Sequence, residues 1–134
     1  MVNTSAITGG ERGRCIAYLL AANMNVTTDQ GFTFLIPVSV IYIPRRIVVT
    51  NASISLTTAV GGLYTGQGKS GTVVVANTQV YSALSAATKF VDLTLAAAVT
   101  TDTVAANTSL FVSLTTAQGA AATADFYLFG DLIT

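Results

Sequence analysis

The chain has 134 residues, with six basic and six acidic side chains, no histidine, no tryptophan and one cysteine. Only 9% of the residues are charged and 51% are apolar, against roughly 25% charged in an ordinary soluble domain. Zero net charge argues against nucleic acid as a partner, which needs clustered Lys and Arg; the missing histidine removes Ser-His-Asp and Cys-His catalysis and every imidazole metal site.

Residues 1–13 are polar and include Gly9, Gly10 and Gly13, the texture of an extended N-terminal arm ahead of a domain spanning 14–134. A first strand is expected from Arg14 to Ala22. Its Cys15 cannot form an internal disulfide alone and stands among Ile16, Ala17 and Leu19, where a buried, inert thiol is expected. The run from Cys15 to Ala22 is far shorter than the ~20 residues that span a bilayer. Asn23-Met24-Asn25 follows it in place of a small-residue cleavage site. Neither a membrane span nor an export signal is expected.

Gln30 to Ile36 places Phe32, Phe34 and Ile36 on one face, the period of a half-buried strand, and Pro37 ends it. Tyr42 to Ala52 is β-branched, with Ile43, Ile47, Val48 and Val49, and Pro44 suits its beginning. Leu63-Tyr64-Thr65 follows Gly61-Gly62, Gly66 to Gly71 forms a turn, and Thr72 to Ala76 is a short strand. Val80, Ala83 and Leu84 have the spacing of one helical turn. Phe90 to Leu95 alternates Phe90, Asp92 and Thr94 against Val91, Leu93 and Leu95. Leu110 to Thr115 and Ala124 to Ile133 complete the series. Short strands with turn signals every 8–12 residues or so predict an all-β, antiparallel β-sandwich. A jelly roll of about eight strands is the most economical architecture at this length. An immunoglobulin-like sandwich ranks second, weakened by the missing tryptophan and cysteine pair.

The segments Ser55 to Gly61 and Ser113 to Gly119 share the pattern SLTTAxG. They read either as an echo of two related half-domains or as coincidence in a chain with 21 Thr and 20 Ala.

Candidate chemistry is sparse. Gly68-Lys69-Ser70 imitates the end of a phosphate-binding loop, but the first glycine of GxxxxGK[ST] falls on Leu63 and a strand follows in place of a helix. A surface turn is the better reading. The carboxylates Glu11, Asp29, Asp92, Asp102, Asp125 and Asp131 are scattered, without the spacing of a calcium loop. Asp29, Asp102 and Asp131 suit turns or strand ends, where they bond nearby backbone amides. No catalytic residue, cofactor or metal site is assigned, and an enzyme is the least favoured class. Asn-x-Ser/Thr triplets at Asn3, Asn25, Asn51 and Asn107 reflect composition.

Three residues remain as interface candidates: Arg45, Arg46 and Tyr64. Successive side chains of a strand point to opposite faces, so Arg45 and Arg46 are expected on different sides, one toward solvent or a partner and one paired with an acid at the rim. Tyr64, beside the glycine-rich turn, is the one aromatic candidate for stacking on a carbohydrate. Small uncharged surfaces are cheap to desolvate, so the Ala/Thr-rich loops from Ala96 to Asn107 and Ala117 to Thr123 point to an obligate oligomer.

Ile43-Pro44-Arg45-Arg46-Ile47-Val48-Val49-Thr50-Asn51-Ala52-Ser53-Ile54-Ser55-Leu56-Thr57-Thr58-Ala59, together with the stretch from Thr115 through Asp131, resembles small structural proteins of tailed bacteriophages, closest in character to the capsid decoration or cement proteins. The resemblance lies in composition and strand texture from about Arg14 onward, and it transfers no functional residue. It implies a homotrimer made in the host bacterial cytoplasm and bound to the major capsid protein on the outer surface of the virion. There it would reinforce the head against internal pressure. Tail, neck and head-fibre components share the texture. A carbohydrate-binding module on such a fibre is the competing class.

Overall fold

Runs of β-branched and aromatic residues punctuated by glycine and polar turns give ten strands in the computed structural model, which describes residues 14–38, 40–97, 99, 105–106 and 109–133. They are β1 (Arg14–Asn23), β2 (Gln30–Gly31), β3 (Thr33–Phe34), β4 (Ile41–Thr50), β5 (Val60–Gly66), β6 (Ser70–Val75), β7 (Phe90–Asp92), β8 (Ala105–Ala106), β9 (Phe111–Thr116) and β10 (Thr123–Ile133). The arm expected over residues 1–13 and most of the loop between Ala97 and Ser109 lie outside the described residues.

The protein is all-β, with two antiparallel sheets. The larger has the order β3-β1-β10-β4-β7, with β8 also on β4, and the smaller has β2-β9-β5-β6. The pairing is nested. β1 lies against β10, β2 against β9, β4 against β7 and β5 against β6, so the first and last strands meet and the pairs close inward. The larger sheet alternates along its longest strand, as a sheet with one buried face must, whereas β5 and β9 of the smaller sheet carry runs of consecutive buried residues. In β10, Ala124, Phe126, Leu128 and Gly130 are buried and the intervening residues half-buried.

Both sheets share one core. Ile16, Ile47, Val49, Phe126 and Leu128 come from the larger, and Leu63, Val75, Val112 and Leu114 from the smaller. Tyr81 links them: its ring meets Phe126 edge-on at 5.9 Å and its hydroxyl donates to the Gly61 carbonyl at 3.0 Å. That bond satisfies a hydroxyl which, unpaired at this depth, would cost about 1–3 kcal/mol.

Several expectations change in detail. Gln30 to Ile36 is not one strand, because the chain changes sheets within it: β2 pairs with β9 and β3 with β1. Phe32 sits at the crossing, its N–H on the Leu110 carbonyl and its ring edge-on to Phe126. The predicted alternation survives this switch, with Phe32 and Phe34 half-buried and Ile36 buried. Gly61 and Gly62 belong to β5 itself; a Cβ on Gly61 would stand 2.3 Å from Leu114 Cα, so β9 approaches too closely for a side chain. Val80 to Leu84 does turn, with the Leu84 N–H on the Tyr81 carbonyl. However, Tyr81 and Leu84 are the buried residues, while Val80 and Ala83 are exposed. In Phe90 to Leu95 the inward and outward sets are as predicted, but only Phe90–Asp92 pairs in the larger sheet; Leu95 instead bridges to Val75.

Candidate assembly face

Period-two alternation in β1, β10, β4 and β7 directs one set of side chains away from the core. Register places these residues in cross-strand rows. Tyr18 stands opposite Tyr127, Tyr127 opposite Val48, and Val48 opposite Asp92. Cys15 is opposite Phe129 and Phe129 opposite Arg46. Thr50 is opposite Phe90, and Ile41 opposite Ile133. Tyr127 and Phe129 lie on the same face of β10 with ring centroids 6.5 Å apart. The outer face is therefore aromatic and aliphatic along its middle, and it continues to Phe90, 58% exposed on β7.

The sequence expectation for Arg45 and Arg46 is overturned here. Gly130 pairs with Pro44 and Phe129 with Arg46, which leaves Arg45 as an extra residue in a β-bulge. The parity of β4 flips across it: Tyr42 and Pro44 are buried before the bulge, Ile47 and Val49 after it. Both arginines consequently reach the outer face, at 55% and 52% side-chain exposure. Gly130 is required by the same bulge, since a Cβ there would lie 2.4 Å from the Ile43 carbonyl oxygen.

Each arginine takes an acid partner within the chain. Arg45 Nε donates to Asp131 Oδ2 at 2.7 Å. Arg46 donates through Nε and Nη2 to the two oxygens of Asp92, and that bond holds its guanidinium still more firmly protonated than usual. Asp131 Oδ1 is buried without a hydrogen-bond partner. Asp125, on the same face, accepts from the Ala21 N–H at 2.7 Å and from Asn51 Nδ2 at 3.0 Å. Exposed ion pairs of this kind contribute about 0–1 kcal/mol each to stability. Their larger effect is to leave the face nearly neutral.

Cys15 is half-buried on this face rather than sealed in the core. Partial burial raises its thiol pKa, and a backbone hydrogen bond with Ala17 opposes that only in part. Tyr64 is placed differently from its two companion candidates. It lies within β5 at 5% exposure, so it offers no ring to a sugar or to a partner. The outward residues that sequence reading passed over are Tyr18, Tyr127, Phe129 and Phe90; their alternation was visible, but not which side of the sheet would be covered.

The segment imitating a phosphate loop is the β5–β6 turn, and it is fastened to the body. The Gly68 N–H donates to Asp29 Oδ2 at 2.7 Å, and Lys69 Nζ donates to Ser113 Oγ at 2.9 Å. Ser113 also donates to the Thr27 carbonyl at 3.4 Å. Its neighbours Val112 and Leu114 point into the core, so Ser113 points outward, yet it is 1% exposed because Lys69 and residues 27–29 cover it. The Gly68 amide, with smaller help from Ser113 and Lys69, lowers the Asp29 pKa. The two SLTTAxG segments also meet: Gln118 Oε1 accepts from the Thr58 and Ala59 amides.

Among the described residues, no three of His, Cys, Asp and Glu come together as a metal cluster, and no helix is long and apolar enough to cross a membrane. No family model, curated protein or solved structure matches the chain.

Proposed function

We propose that this chain is a non-enzymatic structural protein of a bacteriophage particle, added as an oligomer to the outer capsid surface, where it stiffens the head. The observation that supports this is the strand order. Four pairings nest, β1 with β10, β2 with β9, β4 with β7 and β5 with β6, leaving β1, β10, β4 and β7 in one sheet and β2, β9, β5 and β6 in the other. A jelly roll has this form, as one long antiparallel hairpin rolled into two sheets, with β3 and β8 as short additions. Viral capsid and lectin domains use that architecture. The fold alone does not decide between them. The burial of Tyr64 removes the aromatic on which a lectin reading rested, and the sparse charge and Thr/Ala-rich loops favour packing against other subunits.

On this reading the partner is the major capsid protein. Residues 1–13, which could extend at most about 45 Å, supply a tether across neighbouring capsid subunits. Deleting them is expected to abolish binding to heads while far-UV circular dichroism stays that of a folded β protein. Antibody labelling of purified particles of the phage that carries this gene tests the assignment. Label distributed over the head is expected. Label confined to the tail or fibres, or particles without the protein, overturns it.

A further inference from the structure

We infer that the outer face of the larger sheet is a self-association surface, on which the same face of a second copy of this chain is seated. The inference goes beyond the structural reading above, setting a two-fold contact in place of the homotrimer that the resemblance implies, and it rests on its own observations.

The residue types come first. Tyr18, Tyr127, Phe129 and Phe90, with Val48 between them and Arg45 and Arg46 alongside, occupy one side of the sheet. Aromatic residues and arginine are the types enriched in protein–protein contacts and in the few positions that dominate their energy. The face is also large enough. The ten-residue strands β1 and β4 flank β10. At ~3.3 Å per residue and ~4.8 Å between strands, these three present on the order of 500 Å². Two such faces bury about 1,000 Å² together, the threshold for a biological contact and the size of a weak, reversible one.

Charge selects the occupant. Arg45 is bound to Asp131, Arg46 to Asp92, and Asp125 to Ala21 and Asn51. A strongly acidic or basic partner would have to break these pairs to gain its own. A copy of this face does not. It brings the same near-neutral surface, from a chain carrying six positive and six negative side chains, so no net repulsion opposes approach. The pattern is also self-complementary: basic residues on β4 lie between acidic residues on β10 and β7. An isologous two-fold contact brings the two faces together with each intrachain ion pair intact.

The test is sedimentation velocity of the full chain across a concentration series, for wild type, for the double variant Tyr127→Ser/Phe129→Ser, and for Phe90→Ser. Phe90 is mostly exposed on a short strand, so its variant keeps the fold and guards against misfolding of the first. Wild type is expected to pass from monomer to dimer with rising concentration. Phe90→Ser should weaken the dimer about tenfold, and the double variant should remain monomeric throughout. A wild type that is monomeric throughout, a three-copy species, or association unchanged in both variants overturns the inference. A dimer that never appears on phage heads would leave this surface intact and remove the capsid assignment alone.

Discussion

The two sheets finish their outward faces in opposite ways. On the smaller sheet, Ser113 points away from the core, yet the chain covers it with Lys69 and Thr27 and holds the covering turn through Asp29 and Gly68. On the larger sheet, Tyr18, Tyr127 and Phe129 also point away from the core, and the described residues place no segment of the chain over the stripe. Among the described residues, a polar outward group is sealed while an apolar stripe is left uncovered. Single exposed hydrophobics are ordinary, but a contiguous outward stripe on a low-charge surface marks a contact site. The difference separates a region that stabilises the fold from one that the described residues leave uncovered.

The largest expected effect breaks the comparison on the larger sheet. Gly130→Ala drives a Cβ against the Ile43 carbonyl and should cost about 3 kcal/mol, the upper end for overpacking, because the obstacle is backbone. Urea denaturation measures the cost. Since the bulge also brings Arg45 and Arg46 to one face, association should weaken in whatever protein remains folded. Ser113→Ala sharpens the comparison from the other side. It removes one partner of Lys69 and should cost about 1 kcal/mol in the same measurement, with the sedimentation profile unchanged. An association defect from Ser113→Ala would show that the two faces are not independent.

The smallest effect is that of Asp29. Its folded pKa lies below the ordinary 3.8, chiefly through the Gly68 amide. Its contribution is therefore fully present above that value and is lost as pH falls through the lower folded one. Asn at this position keeps an acceptor for Gly68 but does not titrate. Wild type should therefore lose slightly more stability than Asp29→Asn when the urea midpoint is followed down through pH 3.8. Identical acid profiles would show that the turn is not held by this charge.

Much of the fold is readable from alternation, because burial on one face of a strand leaves a period-two record. Phe32, Phe34 and Ile36, and the two sets within Phe90 to Leu95, follow it. The features that escape depend on pairing between distant residues. Nothing local in Pro44-Arg45-Arg46-Ile47 says that Phe129 will oppose Arg46 while Gly130 opposes Pro44, so the bulge and the shared face of the arginines stay hidden. The change of sheet at Phe32 is hidden for the same reason: β2 and β3 are distinguished only by their partners, β9 and β1. Tyr64 follows glycines that look like loop, but these glycines lie inside β5, where β9 and β6 approach closely, and Tyr64 is buried in the same strand. The candidate face was not legible in the charge pattern, which pointed to the Ala/Thr-rich loops, whereas Arg45, Arg46, Asp92, Asp125 and Asp131 all lie on the face itself; its location became legible only once the strands were in register.

Cys15 gives the most direct measurement of whether that face is covered, because it lies on the outer side opposite Phe129. Its alkylation rate can be followed by mass spectrometry as protein concentration rises. If a second copy seats on the face, the rate falls about fivefold at about ten times the dissociation constant, where roughly a fifth of the chains remain free. In Tyr127→Ser/Phe129→Ser the rate stays flat. A wild-type rate independent of concentration, at concentrations where sedimentation shows dimers, would place the contact elsewhere and contradict the account.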